Sequence, residues 1–437
     1  MASAARRAGF CAIDFGTSNS GIALPQGDGV ALVPLEPGQP TMPTAVFYQV
    51  EGLAAHEAPR RHYGRGAIAA YVDGVEGRLM RSMKSVLGSS LVDQSTEVGA
   101  GHAVRYLDVV SHYLRHLKER AETAAAAPLR RVVLGRPVFF VDDDPVRDAA
   151  AQAALERAAR SVGFDEVRFQ YEPIAAALDH EARIDAEQIV LVADIGGGTS
   201  DFSLLRLSPA GRLRTDRRND ILASHGVHVA GTDFDRHLEL SQVLPPLGYG
   251  GRGPQRADRT TREVPSRVYH DLATWHLINT VYAPARVAEL RGMRDFYGDI
   301  RQHQRLMTAV QGRLGHALIA RAEAAKIGLT DAAQVRIDLG AVEAGLDATL
   351  DEATAMAALE PDLARIDAAA LETLRLAGWD AARVDTLYLT GGSTGLKRLA
   401  ARLSALMPGA RRVQGDRFAS VAQGLGLYAR RLFGQRS

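Results

Sequence analysis

Two apolar, strand-forming runs flank a triple glycine in residues 189–207 and stand out in the hydrophobic pattern of the chain. Short apolar runs on either side of a glycine turn predict a β-hairpin. Gly196, Gly197 and Gly198 have no Cβ, so successive backbone N–H groups of this turn can point into one concavity. We therefore expect the turn to suit a chain of phosphate groups.

A second copy of this pattern lies near the N-terminus, in residues 12–24. A short strand ends in Asp14, Gly16 follows two positions later, Thr17 comes next, and a second apolar run leaves the turn. Asp14 precedes its counterpart Asp194 by 180 positions, which is about the size of one domain. Two matching hairpins at this spacing predict a duplicated fold that holds one nucleotide between its halves.

Acidic residues accompany the central turn. Asp194 ends the incoming strand, Thr199 offers a hydroxyl group, and Asp201 adds a second carboxylate just beyond it. Carboxylates beside a phosphate site require a cation between them, and Mg²⁺ that keeps its water shell fits this chemistry best.

The remaining periodicity alternates strands with amphipathic helices, and Asp233 and Asp235 are expected to cap a helix. Strands are predicted at 30–34, 45–50, 131–140 and 387–390, with Pro137 interrupting the third, and helices at 106–123, 149–162, 307–329 and 416–432. Residues 169–178 are predicted to run from a strand into a helix, with Pro173 in the first helical turn.

Two other clusters admit a metal-binding interpretation. His112 and His116 are four residues apart on a predicted helix, as zinc ligands can be, but no third ligand is nearby, and packing roles are favoured. Asp142, Asp143 and Asp144 precede Pro145, and this pattern favours a helix start over a metal cluster.

Composition places the chain among ordinary globular proteins. Its 437 residues are 46% hydrophobic and 24% charged with a net charge of +1, so neither nucleic acid nor a membrane is predicted as a partner. Cys11 is the single cysteine, which excludes an intrachain disulfide. Arg6 and Arg7 could belong to a twin-arginine export signal, but the Asp14 motif occupies the place of its apolar core, so a cytoplasmic protein is predicted.

Residues 14–20 and 194–201 resemble the two phosphate-binding motifs of the actin/hexokinase/heat-shock superfamily. The most similar family is the ATPase domain of the DnaK-type seventy-kilodalton heat-shock chaperones, and within it the short YegD-like branch, with the likeness running over residues 10–433. The resemblance implies an α/β, actin-like ATPase fold of two lobes. Each lobe would be built on a duplicated ribonuclease-H-like βαβ unit, with a nucleotide cleft between the lobes.

The same resemblance implies a domain plan. Lobe I is expected at 1–188, with a peripheral subdomain at about 46–104. Lobe II is expected at 189–414, with a peripheral subdomain at about 232–350 that includes a loop-rich insertion at about 241–305. A closing helix in 415–437 is expected to return to lobe I.

Site residues follow from the family motifs. From the residues alone, Lys84 is an ordinary surface lysine and Glu172 favours a helix start, but the resemblance implies that both position the attacking water. It also implies catalytic roles for Asp194 and Thr199, and a largely water-mediated Mg²⁺ site at Asp14, Asp194 and Asp201. Contacts to ATP or ADP are implied for Gly16, Thr17, Ser18, Gly196, Gly197, Gly198, Thr199, Gly231, Glu323, Lys326, Gly391, Gly392 and Ser393.

The chain departs from the family at two places. Ile327 and Gly395 replace the two arginines that stack on the base in the family, and the loss of two cation–π contacts is expected to cost about 1–4 kcal/mol of nucleotide binding. Residues 244–267 are rich in proline and glycine, with arginines at 252, 256, 259, 262 and 267. A mobile, solvated loop is expected there, with a short helix near 272–279.

The leading interpretation is a Mg-dependent, chaperone-like ATPase that hydrolyses ATP slowly and acts as a nucleotide-driven switch. Because the chain stops at Ser437, the peptide-binding domain of the family is expected to be absent, although a client or partner protein remains an expected ligand. The alternatives are a small-molecule kinase of the same superfamily, and a filament or scaffold protein that binds nucleotide without turnover.

Overall fold

The structure is a computed structural model that describes residues 9–53, 57–141, 144–255, 260–416 and 419–434. Arg6, Arg7, Asp142, Asp143, Arg256 and Arg259, which were singled out above, lie outside the described residues.

The strands of the first half are β1 (Gly9–Phe15), β2 (Asn19–Gln26), β3 (Gly29–Leu32), β4 (Thr41–Pro43), β5 (Ala45–Gln49), β6 (Arg60–Tyr63), β7 (Gly77–Arg81), β8 (Ser95–Gly99), β9 (His102–Arg105), β10 (Leu129–Arg136) and β11 (Glu166–Tyr171). Those of the second half are β12 (Gln188–Ile195), β13 (Ser200–Leu207), β14 (Ile221–Val227), β15 (Gln334–Asp338), β16 (Asp347–Asp351), β17 (Thr386–Thr390) and β18 (Arg411–Gln414).

The helices of the first half are α1 (Gly64–Val72), α2 (Tyr106–Ala125), α3 (Pro145–Ser161) and α4 (Glu172–Glu181). Those of the second half are α5 (Gly231–Leu238), α6 (Arg267–Leu272), α7 (Ile278–Val281), α8 (Pro284–Gly292), α9 (Ile300–Gln311), α10 (Gly315–Gly328), α11 (Glu352–Leu376), α12 (Lys397–Leu406) and α13 (Ser420–Gly434). No helix within the described ranges is long and apolar enough to cross a membrane.

Two central sheets share one topology. In the first, the strand order is β3-β2-β1-β10-β11, and in the second it is β14-β13-β12-β17-β18. In the first sheet, β1 pairs antiparallel with β2 and β2 with β3, and in the second sheet β12 pairs antiparallel with β13 and β13 with β14. On the other side of β1, β10 and then β11 pair in parallel, and β17 and then β18 do the same beside β12. This repetition confirms the predicted α/β class and is consistent with the duplicated, actin-like ATPase fold.

The two sheets meet through helices that lie between them. One hydrophobic cluster contains residues of β1, β2 and β10 together with residues of β12, β13 and β17, and its centre is formed by α4 and α13. At Gly424 of α13, an added Cβ would lie 1.9 Å from the Ala175 carbonyl oxygen of α4. The two helices therefore approach so closely that no larger side chain fits at this position.

The segment at 244–267 is a solvated loop only in part, because most of its described residues from Arg252 to Arg267 are exposed but other positions are anchored in the core. Leu247, Val264 and Tyr269 are fully or almost fully buried in the core of the second half. The Tyr269 hydroxyl group lies 2.8 Å from the Leu247 carbonyl oxygen and 2.8 Å from the Tyr297 hydroxyl oxygen. The predicted helix at 272–279 is also misplaced, because α6 ends at Leu272 and α7 begins at Ile278.

Other predicted boundaries shift for local reasons. The single helix predicted at 307–329 is broken into α9 and α10, since the left-handed backbone of Arg313 (φ 52°) interrupts it. Strand β10 ends before Pro137, and α3 begins at Pro145 with Asp144 accepting a hydrogen bond from the Arg147 N–H at 3.0 Å. His116 stacks on Tyr63 at a ring distance of 4.1 Å, which agrees with a packing role.

Candidate functional site

The turns of the two predicted hairpins face each other across the gap between the sheets. β1 pairs with β2 and β12 pairs with β13, both antiparallel, as the sequence predicts. A Cβ added to Gly197 in the second turn would lie 2.8 Å from the Ser18 hydroxyl oxygen in the first turn. The glycine thus allows the two turns to approach each other directly, and this places Ser18 and Gly197 in one site.

A buried threonine, Thr44, stabilises the first turn by hydrogen bonds. The Thr44 hydroxyl group donates a hydrogen bond to the Gly16 carbonyl oxygen at 2.7 Å and lies 2.8 Å from the Ser20 hydroxyl oxygen. The Thr44 N–H also donates to the Ser18 carbonyl oxygen at 2.9 Å. Because Thr44 is 1% exposed, these bonds are shielded from water and fix the shape of the turn that contains Thr17.

The second turn is held by two other elements. The Ser393 hydroxyl group, after β17, donates to the Gly196 carbonyl oxygen at 2.8 Å. At the start of α5, the Thr232 N–H and hydroxyl group donate to the Gly197 carbonyl oxygen at 2.7 and 2.6 Å. The Gly231 N–H donates to the Gly196 carbonyl oxygen at 3.2 Å. Residues that are far apart in sequence therefore converge on one glycine turn.

At several of the predicted glycine positions a neighbouring atom lies too close to leave room for a Cβ, but this does not hold for all of them. At Gly391 (φ 85°), an added Cβ would lie 2.6 Å from a carboxylate oxygen of Asp194. At Gly16, it would lie 2.2 Å from the Asn19 carbonyl oxygen. Gly198 has open space around the same position, so packing does not require glycine there. Gly392 lies beside Gly391 at the start of a short 3₁₀ turn.

Carboxylates gather on one side of the two turns. Asp194 and Asp201 are directly opposite in the β12–β13 ladder, so they project from the same face of the sheet. The Thr199 hydroxyl group donates to Asp201 at 2.8 Å. Burial and the neighbouring Glu172 and Asp194 carboxylates raise the pKa of Asp14 to about 8. Burial and the Asp201 and Glu172 carboxylates likewise raise the pKa of Asp194 to about 7.

Lys84 lies among these acids. Its Nζ atom is 2.5 Å from Oε1 of Glu172, and the Lys84 side chain is 8% exposed. Lys84 belongs to the short 3₁₀ turn Met83–Val86 after β7, and Glu172 begins α4. Lys84 lowers the pKa of both Asp14 and Asp194, and the expectation that it is an ordinary surface lysine is wrong.

The donor set fits a hydrated divalent cation. Four carboxylates share one lysine here, and carboxylate oxygens are the donors that Mg²⁺ prefers. Within the described ranges, no group of three or more acidic, histidine or cysteine side chains is placed to hold a metal ion. Asp14, Asp194 and Asp201 are the residues that could hold a hydrated ion through its waters.

The region expected to bind adenosine lies on α10. Lys326 forms an ion pair with Asp235 of α5 at 2.7 Å and donates to the Gly231 carbonyl oxygen at 3.1 Å. The expected capping role of Asp235 is therefore wrong, whereas Asp233 accepts the Ala230 N–H at 3.0 Å and does cap α5. Glu323 is exposed on the same helix, three residues before Lys326.

The two positions that lack the family arginines differ in exposure. The Ile327 side chain is 60% exposed, whereas Gly395 is buried in the turn after β17. An arginine could therefore be accommodated at Ile327 without repacking, but not as readily at Gly395.

Sequence reasoning overlooked the residues that support the turns. Thr44 directly precedes the predicted strand at 45–50 and Thr232 lies between Gly231 and Asp233, but neither was given a role. Their hydroxyl groups bind carbonyl oxygens 28 and 35 positions away, so local sequence holds no signal for these contacts.

Comparisons with known proteins agree with this geometry. A family model described as "Hsp70 protein" matches residues 10–240, more than half of the chain. The chain is 28% identical over 265 residues to the chaperone protein HscA of Klebsiella pneumoniae, covering 56% of this chain and 39% of the relative. It is 30% identical over 262 residues to the HscA homologue of Chromobacterium violaceum, covering 55% and 39%.

The chain spans about two fifths of the length of these curated relatives. The placement in a YegD-like branch and the extension of the likeness to residue 433 stay predictions. The matched residues include both glycine hairpins, Lys84, Glu172 and the start of α5, and the two sheets are consistent with the actin-like ATPase fold of this family. The chain belongs to the Hsp70 family.

Proposed function

We propose that the chain binds Mg·ATP between its two central sheets and hydrolyses it slowly, with movement of the two lobes as the output. The observation that carries this proposal is the Lys84–Glu172 ion pair, which lies beside Asp14 and Asp194 at the meeting point of the two glycine turns. A fixed cation among acids is what a site needs to stabilise the charge on a transferred phosphoryl group.

Each residue of the site has a role in this proposal. The backbone N–H groups of the turns at Gly16–Ser18 and Gly196–Thr199 would cradle the phosphates. Lys84 would balance the charge that develops on the γ-phosphoryl group, and Glu172 would accept a hydrogen bond from the attacking water. Bound Mg²⁺ would supply charge neutralisation for the phosphates. Asp14, Asp194 and Asp201 would orient the waters of its shell.

The nucleoside end is proposed to rest on α10 and the turn after β17. Glu323 and Lys326 would contact the ribose, with Gly231, Gly391, Gly392 and Ser393 lining the opposite wall. Lys326 must exchange part of its present bonding to Asp235 and Gly231 for the nucleotide. With Ile327 in place of a stacking arginine, we expect the base to be held less tightly than the phosphates.

A partner protein is proposed as the receiver of the conformational change. The relatives that the chain resembles are named chaperones, and a slow ATPase suits a switch whose two nucleotide states are recognised by another protein.

Phosphate release tests the proposal. Purified protein is incubated with ATP and Mg²⁺, and free phosphate is followed over hours, with parallel samples that contain a panel of sugars and hydroxy-acids. The proposal predicts slow release that needs Mg²⁺ and no added acceptor. Formation of a phosphorylated acceptor would indicate a kinase, and binding of ATP without release would indicate a scaffold; either result contradicts the proposed activity.

A further inference from the structure

An aromatic cluster joins the two halves of the molecule beside the nucleotide site. Tyr71 of α1 stacks on Trp275 with ring centroids 4.9 Å apart and an interplanar angle of 24°. The Arg81 guanidinium group, at the end of β7, lies over the Trp275 ring at 4.5 Å. Tyr71 and Arg81 belong to the first half of the chain, whereas Trp275 lies between α6 and α7 in the insertion.

The second half adds further members to this cluster. His316 of α10 meets the Trp275 ring edge-on at 5.1 Å and the Tyr71 ring at 5.2 Å. Asn279 hydrogen-bonds the Tyr71 side chain, and its Oδ1 atom lies 3.3 Å from Nε2 of His316. Burial lowers the pKa of His316 to about 4. The imidazole is therefore neutral at physiological pH and does not repel Arg81.

The cluster connects the two ends of the proposed nucleotide site. Arg81 lies three residues before Lys84, in the segment expected to reach the γ-phosphate. His316 lies on α10, the helix that carries Glu323 two turns further along. Burial lowers the pKa of Arg81, and the Glu323 carboxylate is close enough to oppose that shift. Separation of the halves at this point would have to break the stacking and the cation–π contact together.

Partial exposure distinguishes this cluster from ordinary core packing. Tyr71, Arg81 and Trp275 are each intermediate in exposure. Tyr71 packs on the edge of a small cluster under β5, but Trp275 belongs to none of the buried hydrophobic clusters. Trp379 offers a matched comparison, because it makes a similar contact with Arg383 at 4.3 Å entirely inside the second half.

We propose that Trp275, supplied by the insertion, clamps the mouth of the nucleotide cleft by holding Tyr71 and Arg81 of the opposite lobe, and so sets the rate at which nucleotide leaves. This inference rests on the proposed function, since it requires nucleotide to bind in the cleft. Trp275 acts as a positioning residue and touches no reacting group. The insertion would then have a role in nucleotide release in addition to its packing against the core.

The release rate of a fluorescent ADP analogue, chased with excess ATP in a stopped-flow instrument, tests the clamp. Aromatic stacking and cation–π contacts of this kind predict about tenfold faster release for Trp275→Ala. Trp275→Phe keeps a ring and is expected to retain most of the slow rate. Trp379→Ala, the matched control, is expected to release at the wild-type rate. If Trp275→Ala binds nucleotide and releases it as slowly as the wild type, the clamp is overturned.

A second measurement does not depend on nucleotide. Trp275 and Trp379 are the two tryptophans of the chain, so in a Trp379→Phe background the emission reports on Trp275 alone. Adding Tyr71→Leu or Arg81→Ala on the opposite lobe is expected to increase acrylamide quenching of this emission. Unchanged quenching in both would overturn the clamp. If these variants show increased quenching but the wild-type protein binds no nucleotide, the proposed function is contradicted and the contact itself is established.

Discussion

Nζ of Lys84 lies 2.5 Å from Oε1 of Glu172, although the two residues are 88 positions apart in the sequence. Lys84 lies in the short 3₁₀ turn after β7, and Glu172 starts α4, the helix that packs between the two sheets. The fold thus converts two separate motifs into one buried ion pair at the edge of a carboxylate cluster. Removing Lys84 would leave the clustered carboxylates without this cation.

Lys84→Met is predicted to abolish most ATP hydrolysis while nucleotide binding persists. Loss of a positioned charge at a phosphoryl-transfer site typically costs about 100-fold or more in turnover. Single-turnover phosphate release and a separate binding titration measure the two effects. Lys118→Met is the control, because Lys118 pairs with Glu122 on α2 at 2.7 Å, away from the two glycine turns. A Lys84→Met protein with wild-type turnover would remove this lysine from the mechanism.

Thr44→Val is predicted to weaken both the fold and the nucleotide site. The substitution keeps the shape of the side chain but leaves the buried Gly16 carbonyl oxygen without its 2.7 Å hydrogen bond, at a cost of about 1–3 kcal/mol in the free energy of unfolding. Thr44→Ser keeps the hydroxyl group and serves as the control. Denaturant unfolding and ATP titration of both variants check the prediction, and equal behaviour of Val and Ser would contradict it.

His316 is predicted to make the protein less stable in acid. Burial lowers its pKa from 6.5 to about 4, so between these values the unfolded chain binds the proton and the folded chain does not. The free energy of unfolding therefore falls as the pH drops from about 6.5 to about 4, by up to about 3 kcal/mol from this group. Below about pH 4 the contribution is fully lost.

Comparison of His316→Gln with wild type isolates this contribution from that of the buried acids. Unfolding measured at several pH values should show a flatter acid slope for the variant, and His276→Gln, at an exposed neighbouring position, should keep the wild-type slope. Parallel slopes for all three proteins would show that His316 titrates normally.

Ile327→Arg is predicted to tighten the binding of ADP. The side chain at this position is 60% exposed, so an arginine can enter without disturbing the core and can stack on the base. One cation–π contact of about 0.5–2 kcal/mol corresponds to about 2- to 30-fold in affinity. Ile327→Met, which has similar size and no charge, is the control. Equal affinities of the Arg and Met variants would place the base elsewhere.

The sequence predicts well those parts of the molecule that depend on local pattern. Both glycine hairpins were placed within a few residues, because apolar runs around Gly16 and Gly196–Gly198 leave few alternatives. The starts of α3 and α5, near Asp144 and Asp233, follow from capping chemistry in the same way. The α/β class follows from the alternation of these elements.

Contacts between residues that are far apart in the sequence could not be predicted from the local pattern of residues. The insertion resembles a loop in composition, yet its Tyr269 and Tyr297 side chains are buried, with their hydroxyl groups 2.8 Å apart across 28 positions. Asp235 looks like a helix cap until Lys326, 91 positions later, is placed beside it. The break at Arg313 depends on a left-handed backbone that arginine rarely adopts, and so the sequence favours an unbroken helix.

Calorimetric titration of the wild type and Asp194→Ala with ATP, in the presence and absence of Mg²⁺, tests the central claim most directly. Asp179→Ala, which removes a surface acid paired with Arg183, is the control. We predict Mg-dependent ATP binding by the wild type and the control, and its loss or severe weakening in Asp194→Ala. Binding that is indifferent to Mg²⁺ and to the Asp194 carboxylate would contradict a nucleotide site between the two glycine turns.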